Sequence, residues 1–300
     1  VKILITGGDG FIGSNLVPRL IAEGHSIVVI SNIKNSNSNN SEIIHVIGDF
    51  DDNNILNNYL PDVDLVIHLA YSTVPENSMK NPVFDIKSNV IPTLNLLKKM
   101  AEHNVKKVVF VSSGGAVYGE NSQEGITEDS LLNPISSYGI SKMMIENSIQ
   151  LLARNFNMDF CILRIANAYG PGHTNKNNQG VINIWLHNVQ NDLPIVIMGN
   201  GSVKRDYIHV SDIVEAFITV ISQNISGVYN IGTSVGTSLK DIINLIETRL
   251  NKKANVNYIE NRGYDVQCNI LSFSKFNSIS GWKPMVNIES GISLLIESKR

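Results

Sequence analysis

The chain has 300 residues, 43% of them hydrophobic, and a formal net charge of −3 with an isoelectric point near 6.2. That length and apolar content fill one large core or two joined ones, and the near-balanced charge gives a polyanionic or nucleic-acid partner no footing. Cys161 and Cys268 lie far apart, in no metal or disulfide spacing, so both are read as buried thiols in a reducing compartment. No apolar run approaches the ~18–20 residues that a membrane span requires, and the sequence opens on an apolar strand with no leader pattern. A soluble, cytoplasmic protein is expected.

Lys2 to Thr6 (KILIT) is a short apolar run followed by GGDGFIGSNLVPRLIAEG, which reads as strand, glycine-rich turn and amphipathic helix. Gly7, Gly10 and Gly13, spaced GxxGxxG, let the turn's backbone approach a pyrophosphate whose charge faces the helix N-terminus. Dinucleotide binding is therefore expected here, with Phe11 and Ile12 beside it. Ser26 to Ile30 (SIVVI) is the second strand. A carboxylate at the end of such a strand commonly holds the adenosine ribose hydroxyls, but Ser31 and Asn32 stand in its place. Serine cannot take both hydroxyls, yet it also removes the charge that repels a 2′-phosphate. Lys34 would favour NADP, but no arginine accompanies it, so NAD is the expected cofactor and NADP the lesser alternative.

The Asn/Ser-rich stretch to Ser41 reads as an exposed loop. Ile43 to Ile47 is a third strand, after which Asp49 is placed to meet the adenine amino group, with Phe50 next to it. Asp51 and Asp52 read as a helix cap. Asp64 to Leu69 (DLVIHL) is a fourth strand; Leu69, Ala70 and Tyr71 lie at its carboxyl end, where ligands of such sheets bind, and Thr73 follows on the substrate side. His68 falls within an apolar run and reads as a core or strand-end residue; no metal is expected. Pro82 to His103 forms a long helix that includes Asn89, another candidate cofactor residue.

Lys107 to Val111 is the fifth strand and delivers Ser112 and Ser113. After the Asn133-Pro134 turn comes a helix carrying Tyr138 and Lys142, four residues apart and so on one face. A phenol with its ordinary pKa of about 10 is a poor base at neutral pH, and a nearby ammonium together with a cationic nicotinamide would stabilise its anion. Bringing the phenol close to neutrality takes about 4 kcal/mol, within reach of two positive charges in a partly dry site. Tyr138 is thus the candidate proton acceptor for a sugar or alcohol hydroxyl.

Asp159 to Arg164 makes a sixth strand, with Ile165 at its end on the cofactor side, and Ile208 to Val210 reads as a short seventh. Strands and helices alternate without a hairpin signal, which predicts an α/β fold with a doubly wound parallel Rossmann sheet. Beyond Arg164, glycine, proline and asparagine become dense, as in a smaller C-terminal substrate-binding lobe. The expected division assigns 1–165 plus about 206–232 to the dinucleotide domain, and 166–205 with 233–300 to the second lobe. Ser238 to Leu250 is an amphipathic helix behind a Thr-Ser cap, and Ser274 to Lys299 holds GWKP between two helical pieces.

Taken together, GxxGxxG at 7–13, SSGG at 112–115 and YGISK at 138–142 resemble the extended short-chain dehydrogenase/reductase family. RIANAYGPG, NNQGVI, GNGSVKRDYIHVSD, GVYNIG and GWKP resemble its nucleotide-sugar epimerase branch, of the UDP-glucose 4-epimerase type. The SSGG-VYG, NPISSYGISK and NNQG variants are similar to epimerases from bacterial polysaccharide gene clusters. These include enzymes for UDP-N-acetylglucosamine and for the undecaprenyl-diphosphate-linked sugar.

The resemblance implies that Tyr138 is the base and Lys142 its partner, which also holds the nicotinamide ribose. It implies that Asn167 contacts the substrate diphosphate, that Arg205 and Arg262 flank it, and that Asp265 lies near the uridine ribose. Arginine forks suit a diphosphate, so the residue chemistry agrees. Gly114, Gly180 and Val181 fall on the same substrate side. One departure stands out: the Ser or Thr usual four residues before the VYG tyrosine is Gly114, and position 116, often Thr, is Ala116. A helping hydroxyl would come from Ser113, if the loop rearranges, or from Ser72 or Thr73; otherwise Tyr138 works alone.

The implied function is NAD-dependent 4-epimerisation of a UDP-linked sugar for surface polysaccharide. A 4-keto-deoxysugar nucleotide reductase and a non-catalytic nucleotide-binding protein are the alternatives. The family also implies a homodimer through helices around residues 82–103 and 138–155.

Overall fold

The computed structural model describes residues 1–32, 43–120, 125–172, 180–260 and 266–298. Strand β1 (Lys2–Thr6) sends Ile3 and Ile5 into one apolar cluster and Leu4 into another, so it has a core on each face. A strand buried on both sides belongs in a parallel sheet covered by helices. Strands β2 (Ser26–Ser31), β3 (Ile43–Ile47), β4 (Leu65–His68), β5 (Lys107–Ser113) and β6 (Asp159–Ile165) follow, each apart from the short β3 dominated by buried residues.

Strands β7 (Asn167–Tyr169), β8 (Ile195–Met198) and β9 (Lys204–His209) leave the sheet, and β10 (Gly227–Ile231) returns to it. The seven-stranded order is β10-β6-β5-β4-β1-β2-β3, with every pairing parallel. The chain winds outward from β1 through β3, then outward on the other side from β4. The reversal between β1 and β4 is where such sheets open a ligand crevice.

The expected seventh strand at Ile208–Val210 is corrected. Ile208 and His209 end β9 and Val210 begins the helix Val210–Ser222; β9 pairs with β7, with β11 (Gly236–Ser238) and with β13 (Cys268–Asn269) in a smaller sheet. GVYNI of β10 takes the place in the large sheet, in register with Cys161–Ile165. β12 (Val256–Ile259) pairs only with β8. Away from the large sheet a third apolar cluster forms, in which Trp185 and Leu186 meet Ile195, Ile242, Ile246 and Ile292.

Local expectations hold at several places. The Asp52 carboxylate caps the helix Asn53–Tyr59 by accepting from Asn54 and Ile55 amides. Ser238 and Asp241 form a reciprocal capping box for the helix Leu239–Leu250. GWKP joins the helices Ser274–Ser280 and Ile288–Glu297. The long helix is continuous but not uniform, because a π-helical turn at Ile86–Val90 separates Pro82–Asp85 from Ile91–Glu102. Cys161 is buried, whereas Cys268 is only half-buried on the short β13, which corrects the reading of both as buried. The Asn/Ser-rich stretch to Ser41, Lys34, Arg262 and Asp265 lie outside the described residues.

Candidate active site

The glycine turn after β1 packs directly on the loop after β4. Gly7 adopts φ +71°, and a Cβ there would lie 2.8 Å from the Ala70 backbone. A Cβ at Gly13 would lie 2.3 Å from the Gly8 carbonyl oxygen, so helix and turn touch backbone to backbone. The helix Phe11–Ala22 starts after Gly10 with no side-chain cap and no acidic residue in its first turn. A close backbone cradle facing an uncapped helix N-terminus fits a pyrophosphate. Ser31 ends β2, where its carbonyl accepts from Gly48 at 3.1 Å; Asn32 and Asp49 are exposed.

Two other candidate residues turn inward. Phe50 packs on His68 with ring centroids 5.0 Å apart. His68 bridges the Thr6 and Thr93 hydroxyls at 2.6 and 2.9 Å, and burial drives its pKa down to about 3, so it is a neutral core histidine. Asn89 accepts from the Ser72 amide at 2.7 Å and donates to Thr73 and Asp85, so its amide shapes the loop after β4. Thr73 is buried and donates to Asp85, turned away from the cavity described below.

The helix Ser137–Phe156 is capped by the Ser136 hydroxyl, which accepts from Gly139 at 3.1 Å. A Cβ at Gly139 would lie 2.6 Å from the Ala116 carbonyl oxygen, so the glycine after Tyr138 lets this helix start against the 114–117 turn. That approach brings Tyr138 beside Ser113, whose side chain favours the anion of the phenol with the loop as it stands, and both line one cavity. Gly114 offers no such help. It is buried, and a Cβ there would lie 2.4 Å from Leu271 Cδ1.

Lys142 is 3% exposed, donates to the Val111 carbonyl at 2.8 Å, and sits 3.8 Å from the centroid of the Tyr71 ring. Its ammonium is 5.7 Å from the Tyr138 ring centroid, and the Tyr71 ring meets Tyr138 edge-on at 5.0 Å. Burial pushes Tyr138 up to about 12, with Ser113 drawing it part of the way back, and pushes Lys142 down to about 7. The expectation paired the lysine with a cationic nicotinamide in acidifying the phenol, and the lysine by itself does not do so. Desolvation wins in the protein by itself, because Lys142 is aimed at Val111 and Tyr71.

A cavity of about 910 Å³ opens over the carboxyl ends of β1, β5 and β6. Phe11, Ile12, Ser112, Ser113, Tyr138 and Ile165 line its inner end. Asn167, Gly180, Val181 and Arg205 line it toward the second lobe, where the helix Val181–Gln190 begins. Asn167 also donates to the Asp206 carbonyl at 3.1 Å, which fixes its orientation. Gly114, Thr73, Asn89 and Lys142 do not line the cavity. Glu76, Trp185, Met198 and Tyr207 do, and the sequence reading did not select them. Met198 directly precedes the stretch GNGSVKRDY and Tyr207 closes it, whereas the motif itself pointed to Arg205.

Comparison with known proteins agrees with this geometry. The family model for NAD-dependent epimerases/dehydratases matches residues 3–232. A dTDP-4-dehydro-6-deoxyglucose reductase of Escherichia coli is 34% identical over 99% of this chain and 97% of its own. The UDP-glucose 4-epimerase of Thermotoga maritima, solved with UDP-glucose, superposes with a TM-score of 0.94 at 33% identity, covering 100% of this chain and 99% of that one. The UDP-glucose 4-epimerase of Thermus thermophilus, solved with NAD, superposes with a TM-score of 0.92 at 29% identity over 99% of this chain and 98% of that one. The dinucleotide cradle, the phenol–hydroxyl pair and these likenesses converge: the chain belongs to the NAD-dependent epimerase/dehydratase family.

Proposed function

We propose that the protein is a nucleotide-sugar 4-epimerase acting on a UDP-hexose, either UDP-GlcNAc/UDP-GalNAc or UDP-Glc/UDP-Gal, in the synthesis of a surface polysaccharide. The observation that carries this reading is the juxtaposition of Tyr138 and Ser113 in the lining of a cavity that runs on to Arg205 and the N-terminus of the helix Val181–Gln190. NAD, when bound, supplies the hydride acceptor and donor for carbon 4 of the sugar. Gly7, Gly10, Gly13 and the first turn of the helix Phe11–Ala22 would hold its pyrophosphate.

The chain's own residues do the rest. Tyr138 takes the proton of the 4-hydroxyl and returns it to the inverted product, while Ser113 shares the sugar oxygen and the phenol. Arg205, Asn167 and the helix beginning at Val181 hold the diphosphate, so remote binding energy retains the keto sugar while it turns over. In this reading residues 1–165 with about 206–232 hold the dinucleotide, and 166–205 with 233–300 hold the nucleotide sugar.

The assembly proposed is a homodimer. Ile140, Met144 and Leu151 are exposed on one stripe of the helix Ser137–Phe156, and Val83, Phe84 and Ile91 are exposed on the neighbouring long helix. Exposed large apolar residues gathered on two adjacent helices are the mark of a covered face.

A 4-keto-deoxysugar reductase is the second reading, favoured by the identity with the E. coli reductase. One experiment separates the two. Purified protein is denatured and its released cofactor identified, and native protein is incubated with UDP-GlcNAc, UDP-Glc and dTDP-4-keto-6-deoxyglucose. Retained NAD and interconversion of a UDP-hexose without net reduction is the result expected. Stoichiometric oxidation of added NAD(P)H by the keto sugar would overturn the epimerase reading.

A further inference from the structure

Behind the Tyr138–Lys142 pair lies a buried carboxylate for which the epimerase mechanism has no use. Asp85 is 0% exposed and stands at the junction of the helix Pro82–Asp85 with the π-helical turn Ile86–Val90. Its Oδ2 accepts from Ser141 at 2.5 Å and from Ser137 at 3.3 Å. Its Oδ1 accepts from Asn89 at 3.1 Å and from the Thr73 hydroxyl. Ser137 and Ser141 directly precede Tyr138 and Lys142, so one carboxyl group grips the backbone neighbours of both. Thr73 and Asn89 fix the other side of the grip, on the loop that carries Tyr71.

The charges show why this group is a carboxylate and not an amide. Two cations are buried beneath the site, Lys142 and Arg164. Arg164 is matched by Glu146 in a two-oxygen pair, with Nη2 to Oε2 at 2.7 Å. The four donors that hold Asp85 are all neutral, and Lys142 is the buried cation on which it acts, beside Glu146. A buried carboxylate without a nearby cation is costly, and the field of Lys142 offsets that cost. Facing this lysine are Glu146 and Asp85, in that order of effect, the Tyr71 and Phe110 ring faces, the Val111 carbonyl and the neutral His68; the two carboxylates are the full negative charges that favour its charged form, and the ring faces and the carbonyl add to them.

We propose that Asp85 is a positioning residue for the reaction, clamping the helix that carries Tyr138 and Lys142 through Ser137 and Ser141 and serving as the counter-charge to Lys142. The proposal rests on the epimerase reading for its kinetic consequence, but not for its electrostatic one. Asp85→Asn keeps the size and removes the charge. The paired Ser137→Ala/Ser141→Ala variant keeps the charge and releases the clamp.

The test follows the Lys142 ammonium by 15N-lysine NMR across pH, with Lys142→Arg assigning the signal, and measures kcat and KM on the same UDP-hexose. Asp85→Asn is expected to lower the Lys142 midpoint by about half a pH unit or more. It is expected to cut kcat about tenfold while KM moves less than about threefold, the split of a residue that sets geometry rather than affinity. The double serine variant is expected to cut kcat about threefold or more with the midpoint in place. An Asp85→Asn protein with wild-type midpoint and kcat overturns the proposal. Should Asp85→Asn fail to fold, wild-type kcat in the double serine variant overturns it instead. If the wild-type protein epimerises no sugar, the functional reading falls, and the midpoint decides alone: a fall in Asp85→Asn supports the counter-charge and no change refutes it.

Discussion

Ser113, the residue that ends β5, stands beside Tyr138 in the cavity lining, and its side chain favours the anion of the phenol against burial. The pair assigns separable kinetic roles. Tyr138→Phe removes the proton acceptor and is expected to lower kcat by about 10³-fold, with NAD still released from the denatured protein. Ser113→Ala removes the hydroxyl that shares the sugar oxygen with the phenol, a hydrogen bond worth about 1–3 kcal/mol, so kcat should fall about 10- to 100-fold. Conversion followed by NMR of the sugar anomeric protons gives both values. Undiminished turnover in Ser113→Ala would show that Tyr138 acts without it.

Restoring the missing hydroxyl at position 114 should harm the protein. A Cβ at Gly114 would meet Leu271 Cδ1 at 2.4 Å, and the Asn269 amide already donates to the Gly114 carbonyl at 3.1 Å. Gly114→Ser is therefore expected to lose about 1–3 kcal/mol of stability by overpacking, with no gain in kcat. Adding Leu271→Ala opens the space, and the double variant should lose less than the sum of the two single ones. Urea unfolding of the four proteins measures the coupling; strict additivity would mean that Leu271 is not the obstacle.

Much of this was legible because it is local. KILIT followed by GGDGFIG contains its own strand, turn and helix, and Asp52 and Ser238 announce their helices in the next three residues. The cavity's inner end was legible for the same reason, since Ser113 and Tyr138 each follow a clear element. What the sequence hid depends on contacts across the chain. Asp85 looks like an ordinary helix residue until Thr73 and Ser141 close on it from 12 and 56 positions away. The place of β9 was misread because an apolar run ending in IHV fits either sheet, and only its pairing with β7 and β11 decides. How far the lysine alone acts on the phenol was hidden too, because spacing puts Lys142 on the right face but does not say that its ammonium turns to Val111.

The Glu146–Arg164 pair under the site should be costly to break. Glu146 is 0% and Arg164 5% exposed, and the arginine also donates to Tyr118 Oη at 2.9 Å. Glu146→Ala strands a buried guanidinium and is expected to cost about 3–5 kcal/mol in urea unfolding. Replacing both partners with apolar residues of similar volume should cost much less, because no charge is then left unpaired. Equal losses in the single and double variants would argue that the pair is not energetically coupled.

The proposed dimer makes its own prediction. On the helix Ser137–Phe156, Ile140, Met144 and Leu151 are exposed at spacings of four and seven, and are 45%, 40% and 59% accessible. Sedimentation equilibrium should give twice the 33.0 kDa chain mass. Ile140→Glu combined with Leu151→Glu should give the monomer while leaving the far-ultraviolet circular dichroism unchanged. A wild-type monomer at micromolar concentration would dispose of the assembly.

The buried titratable groups fix how stability responds to pH in the cofactor-free protein. Lys142 titrates at about 7 in the fold but near its ordinary value of about 10.4 when unfolded. Between those values the unfolded chain binds a proton that the fold gives up, so this group makes stability rise with pH from about 7 to 10. His68, held down to about 3, acts in the same sense between about 3 and 6.5, where acid favours unfolding. Tyr138, pushed up to about 12, acts in the opposite sense, since above about pH 10 the unfolded chain loses a proton that the fold retains. The stability of Lys142→Met relative to wild type should therefore fall as pH rises from 7 to 10. Urea midpoints for the two proteins at pH 7, 8.5 and 10 check the sign; a difference that does not vary with pH would mean that Lys142 keeps its proton in the fold throughout, held by Asp85 and Glu146 against its burial.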